Sequence, residues 1–195
     1  MNRGQVIATM GRSAGGYAIP KERAHLHFEI GLMLTENFHS WFVWKKFGSP
    51  NRHGVWNGMN LIGVDPKDFL DQWRRRRVDN FQQYFSGLKS AVRLRVATTH
   101  VPDFIRRYPA LLRKPIDGLV GGWEVQCDVT GLPFAWTPLS HNQVVGMRSG
   151  SVEILSVDTP ALRSFRGKEL VRTRGGRHSP GPDLTTMLQL VFGLR

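Results

Sequence analysis

The sequence predicts an α+β protein, in which a partial antiparallel β domain is followed by a helix and a second, smaller α+β region. Segments with alternating apolar and polar residues indicate strands on both sides of residues 66–86. That stretch itself carries apolar residues at helical spacing. Hydrophobic residues make up 41% and charged residues 22% of the 195 residues, which is enough apolar material for a packed core.

The first thirty residues contain two predicted strands. Residues 6–10 are a short β-type segment, and a glycine-rich turn follows at residues 11–16. Residues 25–30, H-L-H-F-E-I, alternate and predict the second strand. The first residues lack the basic start, the apolar stretch and the cleavage site of a signal peptide. Because a strand-like segment comes so early, we expect either a start further upstream or a truncated product.

Residues 31–63 combine aromatic side chains with turn-forming residues, and we interpret them as an insertion. A hydrophobic flap packed on its own domain is the favoured interpretation, and a lid or cleft wall is the alternative. Asp65-Pro66 is typical of a helix start, because Asp65 caps and proline suits the first helical position. The spacing predicts one helix over residues 66–86.

The remaining residues predict a compact set of strands and one short helix. Strands are expected at residues 92–99 and 152–157, with a β-hairpin around the turn at residues 130–133. Pro102-Asp103 opens a predicted helix that reaches about residue 113. Residues 163–183 are basic and rich in glycine and proline, which predicts a loop, and the last ten residues fit a helix or a strand. We therefore predict domains at residues 1–70 and 89–195, connected by a helix at residues 71–88.

The formal charge of +12 favours anionic partners, whether nucleic acid, acidic lipid or anionic cell-wall polymer. Arg74 to Arg77 are consecutive and therefore wrap around a helix, which favours a solvated face over a nucleic-acid patch. No apolar run approaches the roughly 20 residues of a membrane-spanning helix. Cys127, the single cysteine, lies in a predicted strand, which favours a buried and inert thiol.

The segment at residues 25–30 carries the most informative chemistry. On a strand, His25, His27 and Glu29 share one face, with the two imidazoles roughly 7 Å apart along the chain. Imidazole is a ready zinc ligand, and its ordinary pKa lies near neutrality. Both histidines are therefore candidates to bind one metal ion, or one binds the metal while the other handles protons beside it.

The order of motifs resembles the C-terminal half of the M23 (LytM-like or lysostaphin-like) zinc metallopeptidases. A G-Q-V-I segment at residues 4–7 is followed by the glycine-rich turn, by H-L-H-F-E at residues 25–29 and by V-D-P at residues 64–66. The resemblance covers about 70 residues, including the insertion at residues 31–63. Nothing comparable is recognised in residues 71–195.

The resemblance implies a mostly antiparallel β domain with a narrow groove that cleaves peptides of bacterial peptidoglycan. His27 corresponds to a zinc ligand and His25 to the catalytic histidine. Zinc in such a site lowers the pKa of bound water to about 7 and polarises the scissile carbonyl. The family also implies a location in the cell envelope or periplasm.

The chain departs from the family at one decisive point. The upstream His-x-x-x-Asp motif, which supplies the other two zinc ligands, is absent from the 195 residues. We therefore expect this chain, as written, to be inactive, with the metalloendopeptidase as the first hypothesis. A degenerate, non-catalytic relative that binds the wall or regulates a hydrolase is the second. A basic nucleic-acid-binding module is the third, motivated by the charge and by Trp73 beside the arginine run.

Overall fold

The computed structural model describes residues 2–14 and 17–194, and its architecture confirms the predicted α+β class. In chain order the elements are β1 (Ser13–Ala14), β2 (Tyr17–Ala18), β3 (Ile30–Met33), α1 (Phe38–Lys45), β4 (Leu61–Val64), α2 (Pro66–Arg74), α3 (Phe81–Ser86), β5 (Val92–Ala97), α4 (Asp103–Arg107), β6 (Gly122–Cys127), β7 (Pro133–Leu139), β8 (Val152–Val157), α5 (Thr159–Ser164), β9 (Val171–Arg174), β10 (Arg177–Pro180) and α6 (Pro182–Phe192). Across the described ranges, no helix is long and apolar enough to cross a bilayer.

The centre of the protein is a four-stranded antiparallel sheet with the order β7-β6-β5-β8. In β5, Val92, Leu94 and Val96 are fully buried, while Arg93 and Arg95 project from the opposite face. This alternation is the pattern that predicted a half-buried strand. The predicted hairpin and the predicted strand at residues 152–157 are confirmed as β6–β7 and β8.

One face of this sheet is covered by an aromatic layer. Trp123 and Trp136 are fully buried, and their rings meet edge to face with centroids 5.8 Å apart. Phe104 of α4 and Phe192 of α6 pack on Trp136, at 5.8 and 5.4 Å between centroids. The last residues are therefore a buried helix, which settles the choice between helix and strand.

Two predictions for the C-terminal half are wrong in detail. Residues 163–183 are not a loop throughout, because β9 and β10 form an antiparallel hairpin within them. The helix predicted to reach residue 113 is shorter: α4 ends at Arg107 and a single 3₁₀ turn follows at Pro109–Leu111. Pro109 opens that turn and cannot donate the backbone hydrogen bond that would continue the α-helix.

The single helix predicted over residues 66–86 is also wrong, because it is divided into α2 and α3. Asp65 caps α2 as expected, accepting from the amides of Lys67 and Asp68 at 2.9 and 3.0 Å. Arg76 then adopts a left-handed conformation with φ of 54°, which ends the helix. Asn80 starts α3 by accepting a hydrogen bond from the amide of Gln83 at 3.0 Å.

The predicted insertion at residues 31–63 folds into β3, α1 and β4, with β3 and β4 paired antiparallel. It packs on the C-terminal region, since Phe38, Trp41 and Phe42 belong to the same hydrophobic cluster as Trp123 and Phe192. This hydrophobic cluster contains residues from before position 70 and from after position 88. The division into domains at those positions stays a prediction.

An ionic network also connects the insertion to α4. Arg107 donates to the carbonyl oxygen of Met33 at 3.1 Å and pairs with Glu36 at 2.9 Å and with Asp103 at 3.0 Å. Tyr108 accepts from the amide of Met33 through its hydroxyl oxygen at 3.0 Å. These contacts attach the start of the insertion to the body of the protein.

The predicted strands near the N-terminus do not form as expected. Residues 6–10 have no strand, and the predicted strand at 25–30 is present only from Ile30 onward, as β3. Leu26 and Phe28 are 84% and 61% exposed, so most of the apolar face of the predicted strand is uncovered, and only Ile30 packs on the core. The glycine-rich turn predicted at residues 11–16 includes Gly15 and Gly16, which lie outside the described residues.

Replacement of Asn60 by alanine is expected to lower the free energy of unfolding by about 3 kcal/mol. Asn60 is fully buried, accepts from the Thr35 amide at 3.0 Å, and donates to the carbonyls of Thr35 and Val55 at 2.7 and 2.9 Å. Urea unfolding measures the change. Asn142→Ala, at an exposed position, is the control and should stay within about 0.5 kcal/mol of the wild type. Equal stabilities of the two variants would contradict this account of the insertion.

Candidate functional site

The two predicted site histidines lie in an exposed segment between the 3₁₀ turn Lys21–Arg23 and strand β3. Although residues 25–29 are not a strand, His25 and His27 project to the same side, as the sequence predicted. Their rings are stacked, with centroids 4.7 Å apart and an interplanar angle of 25°. The structure therefore brings both predicted residues together.

Each ring is oriented by a partner at its Nδ1 atom. Nδ1 of His25 donates to the backbone carbonyl of Arg23 at 2.8 Å. Nδ1 of His27 faces the carboxylate of Glu29 at 3.5 Å. The two Nε2 atoms then lie only 2.8 Å from each other.

The positions of the protons follow from these partners. A carbonyl oxygen only accepts, so Nδ1 of His25 carries the hydrogen, and Nε2 of the neutral ring presents a lone pair. The carboxylate of Glu29 likewise favours a hydrogen on Nδ1 of His27. The 2.8 Å between the Nε2 atoms fits a hydrogen bond in which one ring donates its Nε2–H to the other ring. A cation between two Nε2 lone pairs would replace that hydrogen bond.

Zinc fits this pair in chemistry and direction. A zinc–nitrogen distance of about 2.0–2.1 Å and a tetrahedral angle place two ligand nitrogens about 3.3 Å apart. The Nε2 atoms of His25 and His27 are 2.8 Å apart, so small rotations of two exposed side chains would open the required distance. The outward hydrogen bond to the carbonyl of Arg23, and the carboxylate of Glu29 at 3.5 Å from Nδ1 of His27, are partners of the kind that commonly orient histidine ligands of metals.

Zinc does not fit in the number of ligands. Three protein ligands are usual in catalytic zinc sites. Within residues 2–14 and 17–194, no group of three histidine, cysteine, aspartate or glutamate side chains is placed to hold a metal ion. Glu29 lies against the far nitrogen of His27 and serves as an outer partner. No reaction step through a metal is therefore derived from this chain.

Glu29 and the carbonyl of Arg23 are the site groups that the sequence did not identify. The alternation of residues 25–30 puts Glu29 on the same face as the histidines but gives it no role. Its spacing of two residues from His27 is the feature of the sequence that indicates a contact between them. The carbonyl of Arg23 has no signal in the sequence, because its direction depends on the turn at Lys21–Arg23.

The other candidate residues have structural surroundings. Cys127 is fully buried, and desolvation raises the pKa of its thiol, which makes it inert as a nucleophile. The side chains of Arg74 to Arg77 are exposed around the end of α2, and Arg74 lies 3.8 Å from Asp71. This placement agrees with the solvated face that the sequence favoured.

Zinc affinity should depend on Glu29 as well as on the two histidines. We expect Glu29→Gln to weaken zinc binding by about tenfold, because the amide orients His27 without enhancing its basicity. His27→Ala should abolish zinc binding, whereas His25→Ala should leave His27 and Glu29 in place and only weaken binding. Competition with a chromogenic chelator measures the affinity, and Glu22→Gln is the control because Glu22 is nearby, exposed and outside the described hydrogen bonds and ion pairs. Unchanged affinity in His27→Ala would contradict the site.

Comparison of the chain with protein-family profiles, with curated proteins and with solved structures finds no match. The resemblance to the M23 peptidases thus rests on the sequence motifs quoted above. The histidine pair is the site on which a functional proposal is built.

Proposed function

We propose that this chain carries part of the active site of an M23-type zinc metalloendopeptidase acting on the peptides of peptidoglycan. The supporting observation is the pair of Nε2 atoms 2.8 Å apart, with both Nδ1 atoms held by acceptors. This pair occupies the positions that the motif order assigns to the metal ligand and to the catalytic histidine. Neither the motif order nor the geometry alone would carry the proposal.

In this proposal the two histidines have different roles. His27 is the zinc ligand, and Glu29 orients it from behind. His25 accepts and returns a proton at Nε2, because its Nδ1 is already committed to the carbonyl of Arg23. The other zinc ligands are those of a His-x-x-x-Asp motif, which the 195 residues do not contain.

The exposure of the N-terminal apolar side chains supports the same proposal. Val6, Ile7, Leu26 and Phe28 are 85%, 73%, 84% and 61% exposed, although their positions match two strands of the family motif series. Such side chains are normally covered in a folded domain. We propose that residues 5–10 and 25–29 become strands when they pack on the part of the peptidase domain that bears the missing ligands.

The number of ligands favours a second candidate function. A relative that has lost metal ligands would retain the groove without catalysis, and the part of the chain that the structure describes offers no group of three side chains for a metal. Such a protein would bind wall peptides or regulate a hydrolase. The two candidates differ in zinc content and in turnover, so one set of variants separates them.

The proposal is tested on the complete reading frame from which these residues come. We expect a His-x-x-x-Asp motif upstream, one tightly bound zinc ion and release of peptides from purified peptidoglycan. His25→Ala should lower the rate by at least about 100-fold while zinc stays bound, because general acid–base catalysis contributes about 10²–10⁴-fold. His27→Ala should lose both zinc and activity.

Glu22→Gln is the control and should retain both zinc and rate. A complete frame without the motif would end the catalytic proposal. Binding of wall peptides without tight zinc and without turnover would instead establish the non-catalytic candidate.

A further inference from the structure

The hairpin formed by β9 and β10 places two arginines opposite each other at its tip. Arg174 pairs with Arg177 across a two-residue turn, Gly175-Gly176. Both glycines have positive φ values, 54° and 75°, as the tight hairpin turn of type I′ requires. The turn therefore fixes the register that brings the arginines together.

This placement is electrostatically unfavourable for the isolated chain. Residues directly opposite each other in an antiparallel pair have Cβ atoms about 4.5–5.5 Å apart, where like charges destabilise. Arg172, on the same face, is paired with Glu169 at 2.8 Å. Within the described part of the chain, Arg174 and Arg177 form no ion pair, so their charges are not compensated.

Further cations lie beside the hairpin. A cavity of about 420 Å³ is lined by Arg163, Arg166, Lys168 and Thr173, among others. Glu169 also lines this cavity, but its carboxylate is taken up by Arg172. Lys168 pairs with Asp183 at 3.5 Å, whereas Arg163 and Arg166 form no ion pair among the described residues. Two uncompensated cations therefore lie at this cavity, in addition to the two at the hairpin tip.

The hairpin tip presents no large aromatic side chain of the kind on which nucleic-acid bases stack. Phe165 lines the neighbouring cavity, but it is half-buried, with its ring beside Gly167. The outer residues of the hairpin are arginine, threonine, histidine and serine, none of which offers a large apolar surface. Single-stranded nucleic acid is held largely by base stacking in addition to charge. The surface instead fits an anionic polymer without bases.

We propose that residues 163–178 bind a polymer of phosphodiester groups without aromatic bases, of the poly(glycerol phosphate) type. The guanidinium groups of Arg174 and Arg177 contact one phosphate, which converts their mutual repulsion into charge-assisted hydrogen bonds. Arg163 and Arg166 contact a neighbouring phosphate of the same polymer. The proposal requires no metal and no histidine, so it stands or falls separately from the peptidase proposal.

The test is a titration of the full chain into fluorescein-labelled poly(glycerol phosphate), followed by fluorescence anisotropy at several salt concentrations. Arg174→Gln/Arg177→Gln should weaken binding by about tenfold at low salt and lower the slope of log affinity against log salt by about 0.7, the loss of one phosphate contact on a flexible polyanion. Arg75→Gln/Arg77→Gln removes the same charge from the exposed run near α2 and should change affinity less than about twofold.

Thermal unfolding of the same variants excludes a folding defect. Removing the opposed charges should leave the midpoint of Arg174→Gln/Arg177→Gln unchanged or raise it. Arg174→Lys/Arg177→Lys, which retains the charge and loses the bidentate fork, should bind with intermediate affinity.

Three outcomes would overturn the proposal. The first is equal loss of affinity in the two glutamine pairs, which would mean that only total charge matters. The second is the absence of salt-sensitive binding by the wild type. The third is tighter binding of single-stranded DNA of matched charge, which would identify nucleic acid as the ligand instead.

Discussion

The aromatic layer over the central sheet is the interaction on which the rest of the fold depends. Trp123 and Trp136 are fully buried, yet their indole N–H groups are satisfied by the carbonyls of His100 and Pro133 at 2.9 and 2.7 Å. Burial of such large rings contributes to stability only when the polar edge has a partner. Because Phe192 packs on Trp136, the layer also fixes α6, against which α1 of the insertion packs.

This dependence explains the contrast between the two ends of the chain. β5 pairs on both sides and buries Val92, Leu94 and Val96 under the aromatic layer, so its alternation becomes a strand. Residues 25–29 alternate equally well, but Leu26 and Phe28 stay mostly exposed. An alternating sequence puts apolar side chains on one face of a strand and polar side chains on the other. It forms a strand only where the apolar face packs against other residues.

The elements that the sequence predicts correctly are those with a local sequence signal, such as a cap or a turn, and with an apolar face that is buried. The cap at Asp65, the β6–β7 hairpin and β8 follow directly from their sequences. The break between α2 and α3 does not, because the apolar stripe continues through it, and only the capping residue Asn80 marks the new start. The Gly175-Gly176 turn was a hairpin signal within a segment whose charge and proline content indicated a loop.

The candidate site was predictable in its composition and not in its proton arrangement. His25 and His27 at a spacing of two residues already indicated rings on one side of the chain. Which nitrogen of each ring carries hydrogen depends on the carbonyl of Arg23 and on Glu29, and the direction of a carbonyl belongs to the folded backbone. The same two residues in another backbone conformation would present different nitrogens to a ligand.

The two proposed sites bind ligands of opposite charge, a cation at the histidine pair and an anion at the hairpin. Both can therefore exist on one strongly basic chain. The proposed metal site at the histidine pair would attract a cation through the lone pairs of its imidazole nitrogens. The guanidinium groups of Arg174 and Arg177 are proposed to hold an anion through charge-assisted hydrogen bonds. If the positive charge of the chain were spread evenly over its surface, it would repel a divalent cation. Glu29 beside His27 supplies a local negative charge where the cation is proposed to bind.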